Sequence, residues 1–171
     1  MSRARVHINL HDGNFVLLKV NNTVTEALID TGANNSFVSA SFVRRLRLYQ
    51  NVRNARSRSR LFSAGGKPMI VRGVIALSLN INGLIIPFCF HVVEYLHHQM
   101  LLGIDFLTKI RTNIDFSDGK ITFNDGLAEA TLNKHSDSLL KTVEAVLISP
   151  KIRGTNSYVY PTLLYSKTFC N

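Results

Sequence analysis

An all-β architecture follows from three features of this 171-residue chain. Apolar runs of strand length recur along it, at residues 15–20, 24–29, 74–80 and 84–93. Tight-turn signals divide the chain: Asn21-Asn22-Thr23, Asn82-Gly83 and Ser117-Asp118-Gly119. Asn and Gly tolerate the positive φ that short hairpin turns demand. Only two short segments carry a helical pattern, and that order of elements is typical of a β-barrel rather than of layered α/β folds.

In chain order, residues 1–13 form a lead-in. Residues 15–20 and 24–29 make a first hairpin that delivers Asp30 to its end. Phe37 and Val38 return as strand, and Ser39 or Ser41 caps a short helix carrying Phe42, Val43, Leu46 and Leu48. Residues 51–59 have almost no apolar side chains and read as a loop or an exposed strand start. Residues 61–72 read as strand on both sides of Ala64-Gly65-Gly66-Lys67. Asn82-Gly83 joins residues 74–80 to 84–93, where Pro87 points to an edge position or a bulge. Leu101-Leu102-Gly103 is a buried strand, and residues 104–110 make one or two helical turns. Residues 113–116 and 120–123 form a further hairpin. After Asn124 the composition turns polar and mixed, so residues 125–140 read as a linker. A small hairpin is expected from residues 143–148 and 157–160. The expected folded unit is therefore 14–124, with 125–171 as linker and β-rich extension.

Composition narrows the function classes. An apolar content of 46% is ordinary for a globular chain with its own core. No run of about 18 apolar residues marks a transmembrane helix, so no membrane partner is expected. The polar start of the chain has no apolar signal-peptide core. Two cysteines, Cys89 and Cys170, are not a disulfide framework, which suggests a reducing, cytoplasmic setting. The net charge of +9 admits a nucleic-acid partner. Arg44, Arg45, Arg47, Arg53, Arg56, Arg58 and Arg60 come without an aromatic platform or nucleic-acid motif, which favours a solvated face instead. No Cys/His/carboxylate set has structural-zinc spacing, so no metal and no cofactor is expected.

The stretch with the most chemistry is Leu28-Ile29-Asp30-Thr31-Gly32-Ala33-Asn34-Asn35-Ser36. A strand end holds Asp30 rigidly, Thr31 supplies a hydroxyl that both donates and accepts, and Gly32 lets the backbone turn and expose an N–H near the carboxylate. An Asp–Gly turn would be common in isolation. The stretch 27–39, however, resembles the active-site segment of the retropepsin-like aspartic proteases of retroviruses and LTR retrotransposons. Met100-Leu101-Leu102-Gly103-Ile104-Asp105-Phe106-Leu107 resembles the same family's apolar-apolar-Gly-x-Asp-apolar-Leu block.

The resemblance implies a closed barrel and an endopeptidase that cleaves its own polyprotein. Asp30 would be its catalytic carboxylate, and Thr31, Gly32 and Ala33 would support it. Ala64, Gly65, Gly66 and Lys67 would form the tip of a flap closing over the substrate. The chemistry adds an argument of its own. Peptide hydrolysis by the chemistry the resemblance implies needs two carboxylates sharing one proton, yet only Asp30 stands in an Asp-(Thr/Ser)-Gly order. Asp12, Asp118 and Asp125 lack the hydroxyl residue, and Asp105 reads as a helix N-terminal or packing residue. The second carboxylate must then come from a second copy, as a two-fold homodimer provides. The rival reading is an inactive or domesticated fold of this family that serves as a protein-binding dimer module.

Overall fold

The computed structural model describes residues 12–55 and 61–135. Strands β1 (Asp12–Val20) and β2 (Thr23–Ile29) form the first hairpin, in register from Val20–Thr23 to Phe15–Leu28. Asn21 and Asn22 both hold positive φ, 48° and 63°, as a two-residue turn matched to strand twist requires. Along β2, Thr25, Ala27 and Ile29 are buried. The two-residue period therefore sends Leu28 and Asp30 to the opposite face, away from the main core.

Strand β3 (Phe37–Ser39) leads into helix α1 (Ala40–Arg45), where the Ser39 hydroxyl caps the Phe42 N–H at 3.1 Å. The helix stops earlier than its apolar spacing suggests. Arg47 takes a φ of 59°, so Leu46 and Leu48 reach the core from the turn that follows instead. A 3-10 turn, Tyr49–Asn51, then brings Arg53 beside Val74.

Strands β4 (Val71–Ile81) and β5 (Leu84–Val93) form the longest hairpin, turning at Asn82 and Gly83 with φ of 48° and 96°. Pro87 stands opposite Ser78, and β3 reaches β5 only at His91–Val93. Among the described residues no strand pairs with the outer edge of β5 beside Pro87, which is the edge position expected. Residues 61–70 depart from the expected pair of strands. They carry a single bridge, Phe62–Pro68, with the Met69 N–H bonded to the Leu61 carbonyl. Pro68 has no N–H to extend a ladder.

Strand β6 (Met100–Leu102) is wholly buried and lies between β2, parallel to it, and β3, antiparallel. Helix α2 (Ile104–Lys109) follows at once. The second sheet is β7 (Asn113–Asp115), β8 (Lys120–Phe123) and β9 (Ala128–Thr131), and β10 (Asn133–His135) returns to pair with β1. The large sheet runs β10-β1-β2-β6-β3-β5-β4, and β4 also pairs with β1 through Lys19–Asn80 and Val20–Leu79. The pairing circuit therefore returns to the strand it started from, around a core that includes Phe42, Phe90, Phe106 and Phe123.

The described fold runs past the expected boundary at Asn124. Residues 128–131 and 133–135, expected as linker, are strands, and Ala128, Ala130 and Leu132 are buried. The cause is visible in Ala128-Glu129-Ala130-Thr131-Leu132, a strict alternation of small apolar and polar residues that bulk composition conceals. The hairpin expected from 143–148 and 157–160, and Cys170, lie outside the described residues.

Candidate active site

Asp30 follows directly from β2, and its backbone N–H donates to the Leu102 carbonyl at 3.0 Å, continuing the β2–β6 ladder by one residue. The chain then turns sharply. The Gly32 N–H donates to Asp30 Oδ1 at 2.9 Å, and the Ala33 N–H donates to the Asp30 carbonyl at 3.2 Å. A Cβ on residue 32 would stand 3.2 Å from that same carboxylate oxygen, so glycine gives the carboxylate its freest approach to the amide. Asp30 is partly exposed, and Thr31, Gly32 and Asn34 are exposed. The carboxylate is thus fixed from behind and open in front.

The far end of this loop is tied to the Gly103–Asp105 segment. Ser36 is fully buried, and its hydroxyl donates to Asp105 Oδ1 at 2.6 Å while accepting the Gly103 N–H at 2.9 Å. The Ser36 N–H donates to Asp105 Oδ2 at 3.1 Å, and the Ile104 N–H donates to the Ala33 carbonyl at 2.8 Å. The two backbones pass so closely that a Cβ on residue 103 would meet the Asn35 carbonyl oxygen at 2.4 Å. The two sequence blocks are therefore one object, a loop bearing a carboxylate laced to a strand–helix junction.

A family model described as "gag-polyprotein putative aspartyl protease" matches residues 16–109, more than half of the chain. The chain belongs to this retropepsin-like aspartyl protease family. It is 26% identical over 110 residues to "Protein DDI1 homolog" of Leishmania major, a match covering 64% of the chain and 28% of that relative's length. Among solved structures, the retroviral protease-like domain of Ddi1 from Leishmania major is similar at a TM-score of 0.62 and 24% identity. That match covers 74% of the chain and 98% of the domain. EIAV protease complexed with the inhibitor HBY-793 gives a TM-score of 0.48 at 21% identity, covering 65% of the chain and all of that protease.

In this retropepsin-like chain a second apolar cluster lies on the face of the sheet that Asp30 shares. Phe37, Val93 and Leu101 are buried in it, and Leu28, Ala33, Leu61, Met69, Val71 and Leu96 pack against them. Leu61 and Met69 are the two stems of the glycine-containing loop, so the structure brings the base of that loop together with residues flanking Asp30. Ala64, Gly65, Gly66 and Lys67 themselves are exposed at its end. The tip turns through Gly66, with φ of 73° and its N–H on the Ser63 carbonyl at 2.8 Å.

Two titratable groups, Glu94 beside the loop base and His91 on β5, were not singled out by sequence reasoning. Glu94 accepts a forked pair of bonds from Arg44, at 3.1 and 3.2 Å, and one from Arg72 Nε at 2.6 Å. Those guanidinium bonds, Arg44's first, hold the Glu94 carboxyl below its ordinary value. His91 is held below the usual imidazole value by burial, against which the Asp105 carboxylate acts. Its Nδ1 is buried without a hydrogen-bond partner. Neither residue has a sequence signal, because partners such as Arg44 and Arg72 meet Glu94 only after β4, β5 and α1 have packed. For Asp105 a signal existed in the Gly-x-Asp spacing.

Proposed function

We propose that the protein is an aspartic endopeptidase that acts as a two-fold homodimer, in the cytoplasm, on a retroelement polyprotein. The observation that carries this reading is Asp30, the one motif carboxylate, steadied by the Gly32 N–H and facing outward. One such carboxylate cannot both take a proton from water and polarise a scissile carbonyl. Two of them about 3 Å apart share one proton, because both cannot ionise easily at that distance. The second Asp30 of a dimer supplies the partner, and in this reading Thr31, an exposed residue, braces the pair across the two-fold axis. The barrel gives each carboxylate a rigid base. The glycine-containing loop serves as a flap over the peptide, its stems resting on the apolar cluster and its tip free to move.

The proton-sharing pair titrates as a unit, so cleavage should peak on the acid side and fall as the pair loses its last proton. The test is peptide cleavage by wild-type and Asp30→Asn protein, alone and mixed. Asp30→Asn is nearly isosteric and should abolish turnover while leaving the fold intact. Mixed with wild type it should poison activity, since a heterodimer holds one carboxylate instead of two. Specific activity should also fall on dilution below the dimer dissociation constant. Unchanged turnover by pure Asp30→Asn would refute the catalytic assignment, and activity independent of concentration would refute the dimer.

A further inference from the structure

We propose that Asp105 is a positioning residue for the Asp30 loop, acting through Ser36, and that His91, whose backbone N–H donates to the Ser36 carbonyl, lies at the same joint. The proposal rests on the peptidase reading only for its kinetic consequences. The geometry stands apart from it.

Asp105 receives three hydrogen bonds: from the Ser36 hydroxyl at 2.6 Å, the Ser36 N–H at 3.1 Å and the Phe106 N–H at 2.7 Å. All three partners donate, and an ionised carboxylate, with acceptors only, suits such a set. An Asn at this position would turn an amide N–H₂ toward one of the donors. The Ser36 hydroxyl proton is committed to Asp105, which leaves the oxygen lone pairs for the Gly103 N–H. The order of donation is therefore fixed, and so is the way the loop leaves the strand–helix junction. One end of that loop is Ser36 and the other is Asp30, held by β6 through Leu102.

His91 sits at the same joint on β5. Its backbone N–H donates to the Ser36 carbonyl at 3.1 Å, and its ring lies against Phe37 at 5.9 Å between centroids. Its cross-strand neighbours are Phe37 on β3 and Val74 on β4, both apolar. Asp105, from α2, is the charge that acts on it among the described residues. The imidazole is half-buried, its Nδ1 is enclosed without a hydrogen-bond partner, and its cross-strand neighbours are apolar, so a change of charge at Asp105 has little to screen it there. It makes the joint sensitive to charge on either side.

The experiment uses the full chain with two independent readouts. The first needs no activity: NMR titration of the His91 ring, with the Gly32 and Ser36 amide signals followed in the same samples. Asp105→Asn removes the charge that favours imidazolium, so the His91 midpoint should move down and both amide signals should shift. The second readout is peptide cleavage. Asp105→Asn and Ser36→Ala should lower kcat by about 10- to 100-fold, the size expected when a reacting group is misplaced by up to about 1 Å. KM should stay within about threefold, because neither side chain reaches the open face. Ser36→Thr keeps a hydroxyl that can donate and accept, and should restore most of the loss.

An unmoved His91 midpoint together with normal kcat in Asp105→Asn would overturn the proposal while leaving the peptidase reading intact. Coupled NMR shifts in a wild-type protein that cleaves nothing would support the joint and overturn the peptidase reading. If Asp105→Asn does not fold, the Ser36 pair decides: equal kcat in Ser36→Ala and Ser36→Thr overturns the proposal, and rescue by Thr alone supports it.

Discussion

Replacing Gly103 by alanine adds one methyl group where the structure has no room for it. The new Cβ would lie 2.4 Å from the Asn35 carbonyl oxygen, and 2.7 Å from both the Ala33 oxygen and the Asn35 carbonyl carbon. These are backbone atoms, which cannot swing aside as a side-chain tip can. Reaching an ordinary contact of about 3.5 Å would displace the 33–35 backbone by about 1 Å. Overpacking of this kind costs about 1–3 kcal/mol. The same shift breaks the Ile104–Ala33 bond of 2.8 Å, worth about 1 kcal/mol more. Urea unfolding should therefore show a loss of about 2–4 kcal/mol. Turnover should fall by about 100-fold, since Asp30 begins the displaced loop. Gly65→Ala is the control: its nearest heavy atom, Ser63 Oγ, would be 4.0 Å away, and stability should stay within about 0.5 kcal/mol of wild type. A Gly103→Ala protein as stable as that control and as active as wild type would refute the close-approach argument.

Two further outcomes follow from the same geometry. Arg44 and Arg72 depress the Glu94 carboxyl, so their contribution to stability is full above its ordinary value of 4.5 and is lost as pH falls through the depressed one. Thermal melts of wild type and Glu94→Gln should thus differ at neutral pH and converge in strong acid, and a gap that persists there would contradict the assignment. Deleting residues 127–171 removes β9, β10 and the buried Leu132, and should cost at least about 2 kcal/mol. Urea unfolding of that truncation reads the loss, and an unchanged midpoint would contradict the packing of Ala128, Ala130 and Leu132.

Much of this architecture is legible in local sequence because its turns are local. Asn21-Asn22 and Asn82-Gly83 adopt the positive φ their side chains permit, and each fixes the register of the strands beside it. The Asp30 turn is equally local, since Gly32 needs only its own neighbour two residues back. What escaped notice depends on long-range packing or on weak apolar signals. Residues 128–132 use alanine, whose small apolar surface gives a faint alternation until β8 covers it. Residues 61–70 contain apolar positions suited to strands, yet Pro68 interrupts the ladder they would build. Asp105 showed its place in a motif, but its bonds to Ser36 span a separation that no local pattern encodes.

The placement of β6 between β2 and β3 has a consequence for the order in which the molecule can assemble. Strands β1 and β2 can pair as soon as they leave the ribosome, and the Asp-Thr-Gly turn comes with them. The flank of β2 that steadies Asp30 stays empty until residues 100–102 arrive, and the lacing to Ser36 waits for Gly103 and Asp105. Closing so long a stretch of intervening chain is slow relative to hairpin formation. A nascent chain ending before residue 100 would therefore carry the whole motif and its local Gly32 contact without the β6 bond to Asp30 or the lacing to Ser36. The Asp-Thr-Gly turn is made early in synthesis and braced late, when β6 and Asp105 reach it.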